Sequence, residues 1–184
     1  MTWKAAIDEA LASAPTHLVT LNTIEIRHPS FKDGNGLPTA IWVVLDPNPL
    51  TARLEATAAI NPGQLVTFVP FAFDFKLPDV TEDGSCDLTI SIDNVSLEIR
   101  DALEGTLGTL DPIYVTYRPY LWDTDTGSLT PDDYPQLDPP IVYTAQKVTL
   151  DVYKCTMTCV FGDMRNKKFP AVLYTAANFP NLVT

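Results

Sequence analysis

The sequence predicts a mainly β protein: an antiparallel β-sandwich or barrel with two short helices and one long Pro/Asp-rich arm. Three observations carry that prediction. Segments rich in β-branched and aromatic residues recur along the chain, several with alternating apolar and polar positions. Proline is abundant, 16 of 184 residues, or about 9% against a usual share of about 5%, which suits connections and strand edges rather than helix interiors or central strands. Apolar residues make up 46% and charged residues 19%, the balance of a chain that can bury a core. One domain over residues 1–184 accommodates this length.

The elements follow in order. Thr2 can cap a helix over 3–13, with Trp3, Ile7 and Leu11 on one face, and Ala14-Pro15 ends it. Residues 18–27 (LVTLNTIEIR) read as a strand stopped at His28-Pro29. The turn Lys32-Asp33-Gly34-Asn35-Gly36 leads to a second strand over 40–45, which Asp46-Pro47-Asn48-Pro49 breaks. Asn61-Pro62-Gly63 is another turn. Residues 65–77 (LVTFVPFAFDFKL) are the most apolar stretch; Phe71, Phe73 and Phe75 project from one face, and Pro70 demotes the strand's start to an edge or bulge. After Glu82-Asp83-Gly84, residues 87–92 (DLTISI) alternate with Leu88, Ile90 and Ile92 inward. Asp93 or Asn94 then caps a helix at 95–104, whose stripe is Val95, Ile99 and Ala102/Leu103, closed by Gly105. Residues 113–120 form a further strand. The arm, 121–140 (LWDTDTGSLTPDDYPQLDPP), holds four prolines and five aspartates. Strands over 141–152 and 153–161 follow, then a tail that begins basic at Arg165, Lys167 and Lys168. No internal repeat is visible.

Charge narrows the function classes. Twelve Lys plus Arg against 23 Asp plus Glu leave −11, which disfavours a surface that holds phosphate backbones. It suits either plain solubility or a wall past which DNA slides. Lys167, Lys168 and Arg165 are the one basic cluster, too small for DNA and better suited to salt bridges with an acidic neighbouring subunit. The N-terminal Met1-Thr2-Trp3-Lys4 leads to Asp8 and Glu9 rather than an apolar leader, and no run reaches about 18 apolar residues. Synthesis in a reducing cytoplasm and no membrane insertion are therefore expected, and the odd count of three cysteines agrees.

No residue set points to catalysis. Cys155 and Cys159 lie in YKCTMTCVF, where Tyr153, Cys155, Met157, Cys159 and Phe161 share one parity, the pattern of a half-buried strand. Four residues of strand span about 13 Å, too far for two thiolates to share a zinc ion with Zn–S bonds of about 2.3 Å or to close a disulfide. Cys86 could add a third ligand, but no His lies near any of the three. Asp123-Thr124-Asp125-Thr126-Gly127 starts like a calcium loop, yet the positions that need Gly and Glu carry Ser128 and Tyr134. His17 and His28 stand outside any nucleophile motif, and no GxSxG, HExxH or phosphate-binding glycine loop occurs. No catalytic residue, cofactor or metal ligand is expected.

Taken in order, several segments resemble a phage and prophage family catalogued only as a domain of unknown function, encoded among tail genes downstream of the tape measure. They are the opening helix with Ser13-Ala14-Pro15, residues 23–29 (TIEIRHP), 71–78 (FAFDFKLP), 88–95 (LTISIDNV), the strand 113–120, and Phe161-Gly162-Asp163 with Phe169-Pro170 and Phe179-Pro180. The phenylalanine strand followed by SIDNV is the most specific part. The resemblance implies a structural tail-tip or baseplate component of the virion, a ring around the DNA channel built as a trimer or hexamer. Its implied partners are the distal tail protein, the baseplate hub and the tape measure, with DNA only passing through. Some hub proteins hold an iron–sulfur cluster, but three cysteines do not supply its four ligands. Interface candidates are Trp122, Asp123, Asp125 and Tyr134 on the arm, and Arg165, Lys167 and Lys168 in the tail. Two rivals stand beside this expectation: a host receptor- or glycan-binding module using Tyr120, Trp122 and Tyr134, and a tail assembly chaperone absent from the finished particle.

Overall fold

The computed structural model describes residues 16–76, 87–93, 97–106, 109, 111–130, 132–151 and 154–161. The expected helix over 3–13, Cys86 and the basic tail lie outside them. The protein is mainly β. Strands β1 (Leu18–Lys32), β2 (Pro38–Val44), β3 (Leu50–Arg53), β4 (Leu65–Pro70), β5 (Phe73–Lys76), β6 (Asp87–Asp93), β7 (Tyr114–Asp123), β8 (Ser128–Leu129), β9 (Ile141–Leu150) and β10 (Lys154–Val160) are joined by one described helix, α1 (Leu97–Glu104).

They form one open ten-stranded sheet in the order β3-β4-β2-β1-β7-β9-β10-β6-β5, with β8 paired to β7. All pairs are antiparallel except β2 with β4. The central ladder is β1 against β7, ten consecutive residue pairs from Leu18↔Asp123 to Arg27↔Tyr114.

Alternation along β1 explains the two cores. Ile24 and Ile26 face one side, where the sheet curls so that β5, β6, β9 and β10 cover them. Val115, Leu88, Ile90, Ile92, Cys155, Met157 and Cys159 join them there, and the Phe75 and Tyr117 rings lie 5.3 Å apart across the layer. Leu21 faces the other side with Val44 and Tyr120, and β3, β4 and residues 54–58 close over it through Ala52, Leu54, Ala58, Val66 and Phe68. β1 and β7 are therefore covered on both faces.

Several expected boundaries move, each for a local reason. β1 does not stop at Pro29 but runs to Lys32. The β1–β2 register shifts between Arg27↔Ala40 and Lys32↔Pro38, and the β7 ladder has already ended at Arg27, so Pro29 sits in a bulge that needs no donor. The stretch 65–77 is two strands, because Pro70 ends β4; Phe71 N–H turns to Val44 O (3.0 Å) before β5 begins. β7 passes through Pro119. That is tolerated because its open side changes neighbour there, from β9 at Tyr114–Tyr117 to β8 at Trp122. β3 was not foreseen: four residues after a double proline give too short a pattern to read. The strands at 87–92 and 154–160 and the helix ending at Glu104 match expectation, with Gly105 N–H on Asp101 O (2.9 Å) closing the helix.

Residues 121–140 start as the end of β7 and the β7–β8 hairpin, whose Gly127 takes φ 65°. Beyond it Arg53 N–H donates to Asp133 O (2.9 Å) and Gln136 N–H to Pro119 O (2.8 Å).

Candidate functional site

The most demanding chemistry in the molecule is a buried charge cluster between the sheet and its second core. On β1 the parity that carries Leu21 continues to Thr23 and Glu25; on β7 it presents Thr116, Arg118 and Tyr120. Arg118, Glu25 and Glu55 are 2%, 1% and 3% exposed. The Arg118 guanidinium donates from Nε and Nη2 to the two Glu55 oxygens, both at 2.7 Å, and from Nη1 to Glu25 Oε2 at 2.7 Å. A planar fork facing a carboxylate in this way is the strongest protein ion-pair geometry.

Glu55 is held in place by its own loop. Leu54 N–H bonds Gln64 O, the Glu55 carbonyl accepts from Ala58 and Gly63 N–H, and Arg53 Nη1 donates to Gly63 O. Gly63 at φ 66° and Asn61 at φ 52° supply the left-handed backbone that this tight return needs. Around the cluster, Trp42 Nε1 points to Glu25 Oε2 at 3.4 Å and Arg27 lies 3.7 Å from Glu25 Oε1. Burial opposes the Arg118 charge, but the Glu55 hydrogen bond and both carboxylates outweigh it and raise its pKa. Burial likewise raises the pKa of Tyr120, against the nearby Arg118 charge, and the hydroxyl donates to Arg53 O at 3.0 Å. The cluster is buried, and its three Arg118 bonds clamp residues 54–64 onto the central ladder.

His28 is a second buried polar group. Its Nδ1 accepts from Ser30 N–H at 3.1 Å, which leaves Nε2 as the donor to Asp111 O at 3.2 Å. This pins the β1 bulge to the segment leading into β7. Cys155 and Cys159 are core residues, as the alternation of β10 indicated; burial pushes their thiols up to about 11 and about 12. Among the described residues no group of three His, Cys, Asp or Glu is placed to hold a metal ion. Likewise no described helix is long and apolar enough to cross a membrane.

The sequence-predicted interface residues fall into four sets. Trp122 is half-buried against the second core. Asp123 caps its turn, accepting from Asp125 N–H (2.8 Å) and Thr126 N–H (3.3 Å), which holds its pKa below the ordinary carboxylate range, and Asp125 is exposed. Tyr134 is 47% exposed with the Arg53 guanidinium over its ring at 5.7 Å, so it touches the same 53–64 unit that the cluster clamps. Arg165, Lys167 and Lys168 lie outside the described residues. An apolar groove of about 390 Å³ opens between Leu45, Asp46, Pro47, Pro70, Phe71 and Ala72.

Sequence reasoning missed Glu25, Glu55 and Arg118. Glu25 shares its parity with Thr23 and Arg27, and Arg118 with Thr116, so each reads as a charge on the wet face of a strand. Strands buried on both faces must pair any charge they carry.

No curated protein matches the chain. Residues 6–174 match the family described as Domain of unknown function (DUF1833), nearly the whole sequence, and the chain belongs to that family.

Proposed function

We propose that the chain is a structural subunit of a bacteriophage tail tip or baseplate, built into a ring around the DNA channel between the tail tube or distal tail protein and the baseplate hub. The observation that carries this reading is the ordered resemblance of its segments, above all 71–78 followed by 88–95, to the family encoded among phage tail genes. The geometry supports it in kind. The buried polar groups described above are spent on holding the fold, and the sheet is open at both ends. The net charge of −11 suits a channel wall that DNA passes without sticking. In this reading the curled sheet is a sandwich-like module and residues 121–140 are the arm that meets a neighbour.

The test is mass spectrometry of purified particles, quantifying this chain against the major tail-tube protein. About three or six copies per particle support the ring. Its absence from particles that still infect refutes the reading and leaves an assembly chaperone.

One observation favours a second reading, a receptor- or glycan-binding tip. Tyr134 is 47% exposed, though Tyr120 is fully buried and Trp122 half-buried. If Tyr134→Ala particles assemble normally but adsorb to cells markedly more slowly, the binding reading displaces the ring.

A further inference from the structure

His28 does more than pin the bulge of β1, because the groups around it fix which of its nitrogens is bare. Thr109 gives its hydroxyl hydrogen to Thr106 O (2.7 Å), so toward His28 Nε2, 3.2 Å away, it can only accept, as can Asp111 O at the same distance. The imidazole proton therefore sits on Nε2, and Nδ1 presents a lone pair. Ser30 N–H points at that lone pair (3.1 Å), and the Ser30 hydroxyl, 2.6 Å from it, must donate as well. Pro29, with its φ fixed, stiffens the link between the two residues. The Phe31 ring packs 5.7 Å from the imidazole; His28 is 2% exposed, whereas Ser30 is open to solvent. A hydroxyl within reach of a base nitrogen, with the base oriented through its other nitrogen, is the arrangement that activates serine nucleophiles.

We propose that Ser30 is a nucleophile with His28 as its general base, and that it takes and holds an acyl group from an activated carboxylic ester. Ser30 Oγ bonds to the acyl carbon as its proton passes to His28 Nδ1. The carbonyl then re-forms as the bond to the leaving oxygen breaks; that oxygen departs with the electron pair and recovers the proton from Nδ1. The products are an ester at Ser30 and a free alcohol or phenol. While Nδ1 holds the proton it releases Ser30 N–H, the longer of its two bonds. Nε2–H stays on Asp111 O and Thr109 Oγ1, and the positive charge on the ring strengthens both contacts. Hydrolysis of the product would need a water between Nδ1 and the acyl carbon. The buried ring, its lone pair returned to Ser30 N–H, leaves that water no base, so one acylation rather than turnover follows. Exposed Ser128 is the internal comparison: its Oγ lies 2.9 Å from Thr126 Oγ1, a hydroxyl and not a base. This inference concerns the free chain and does not depend on the tail-tip reading.

Treatment of the full chain with excess p-nitrophenyl acetate at neutral pH, with the acetylated sites mapped by peptide mass spectrometry over time, tests it. Ser30 should gain an acetyl group at least about tenfold faster than Ser128, since a positioned base contributes about a hundredfold or more. The group should remain on Ser30 after the ester is removed. In urea the preference should vanish, because closeness in sequence alone does not hold the hydroxyl on Nδ1. His28→Asn keeps an acceptor for Ser30 N–H where Nδ1 stands but offers no base. A His28→Asn chain that melts like the wild type should therefore acylate Ser30 no faster than Ser128. Should that variant fail to fold, the native and urea rates of the wild type still decide the question. A native Ser30 that reacts no faster than Ser128 overturns the proposal. So does a preference that survives in urea, or a folded His28→Asn chain that acylates Ser30 at the wild-type rate.

Discussion

Replacing Arg118 with Met removes the cation and keeps an unbranched side chain of comparable reach. Two carboxylates then remain, 1% and 3% exposed, having lost three charge-assisted bonds of 2.7 Å. Removing one partner of a buried ion pair costs about 3–5 kcal/mol, because the charge left behind is neither solvated nor paired. For a chain of this size each kcal/mol corresponds to about 2–4 °C, so the melting temperature should fall by roughly 6–20 °C. Urea denaturation followed by far-UV circular dichroism reads the difference, with an unchanged slope showing that the unfolded state is not the cause. Removing the whole cluster is a different perturbation. Arg118→Met with Glu55→Leu and Glu25→Gln, the last still able to accept from Trp42 Nε1, should recover most of the loss, since apolar replacement of a complete buried cluster is often neutral. A loss below about 1 kcal/mol for Arg118→Met would refute the argument, placing the cluster among solvent-screened surface pairs.

Three further outcomes are expected. In a Cys86→Ser background, neither Cys155 nor Cys159 should react with a thiol reagent at pH 8 until urea unfolds the chain. Their thiol pKa values are raised from 9.0 to about 11 and about 12, so the unfolded state gives up its protons first. Their stabilising contribution is thus intact below pH 9 and is lost as pH climbs toward the folded values, which an alkaline denaturation series measures. Phe68→Ala, fully buried in the second core, should cost about 3–5 kcal/mol in thermal or urea melts, while Val69→Thr on the exposed face of the same strand should stay within about 0.5 kcal/mol. The Asp123 carboxyl should titrate below its ordinary 3.8 by NMR, and its hold on the Asp125 N–H should persist above that value and loosen as pH falls through the depressed one. Asp123→Ala should abolish the effect.

The elements that could be read in advance are those with one wet face. β6 and β10 show Leu88, Ile90, Ile92 and Cys155, Met157, Cys159 at alternate positions, and the buried residues are those residues. β1 and β7 were legible as strands but not as a doubly covered ladder. Their second face is covered by β3, β4 and residues 54–64, and β3 is four residues long with no periodic signature. Without that layer nothing in the sequence told Glu25 and Arg118 apart from exposed strand charges. The aspartate-rich stretch was conspicuous by composition, yet composition did not show that Asp123 serves its own turn or that Gln136 bonds back to β7.

The cluster also resolves a problem created by that double burial. Register in a sheet is normally fixed because a one-residue slip turns the apolar set toward water. Along β1 a slip exchanges Ile24 and Ile26 for Leu21 and Thr23 between two dry faces, and the apolar pattern alone penalises it weakly. Glu25 changes that balance. A slip of β1 against β7 carries it away from Arg118 and into the layer of Val115, Ile90 and Met157, leaving buried charges unpaired on both faces at several kcal/mol each. Glu55 applies the same constraint to the loop. The uncharged triple variant should therefore regain stability without regaining uniqueness. Its amide spectrum should show doubled or broadened peaks for β1 and β7 where the wild type shows one set, and a single sharp set would refute this role for the charges.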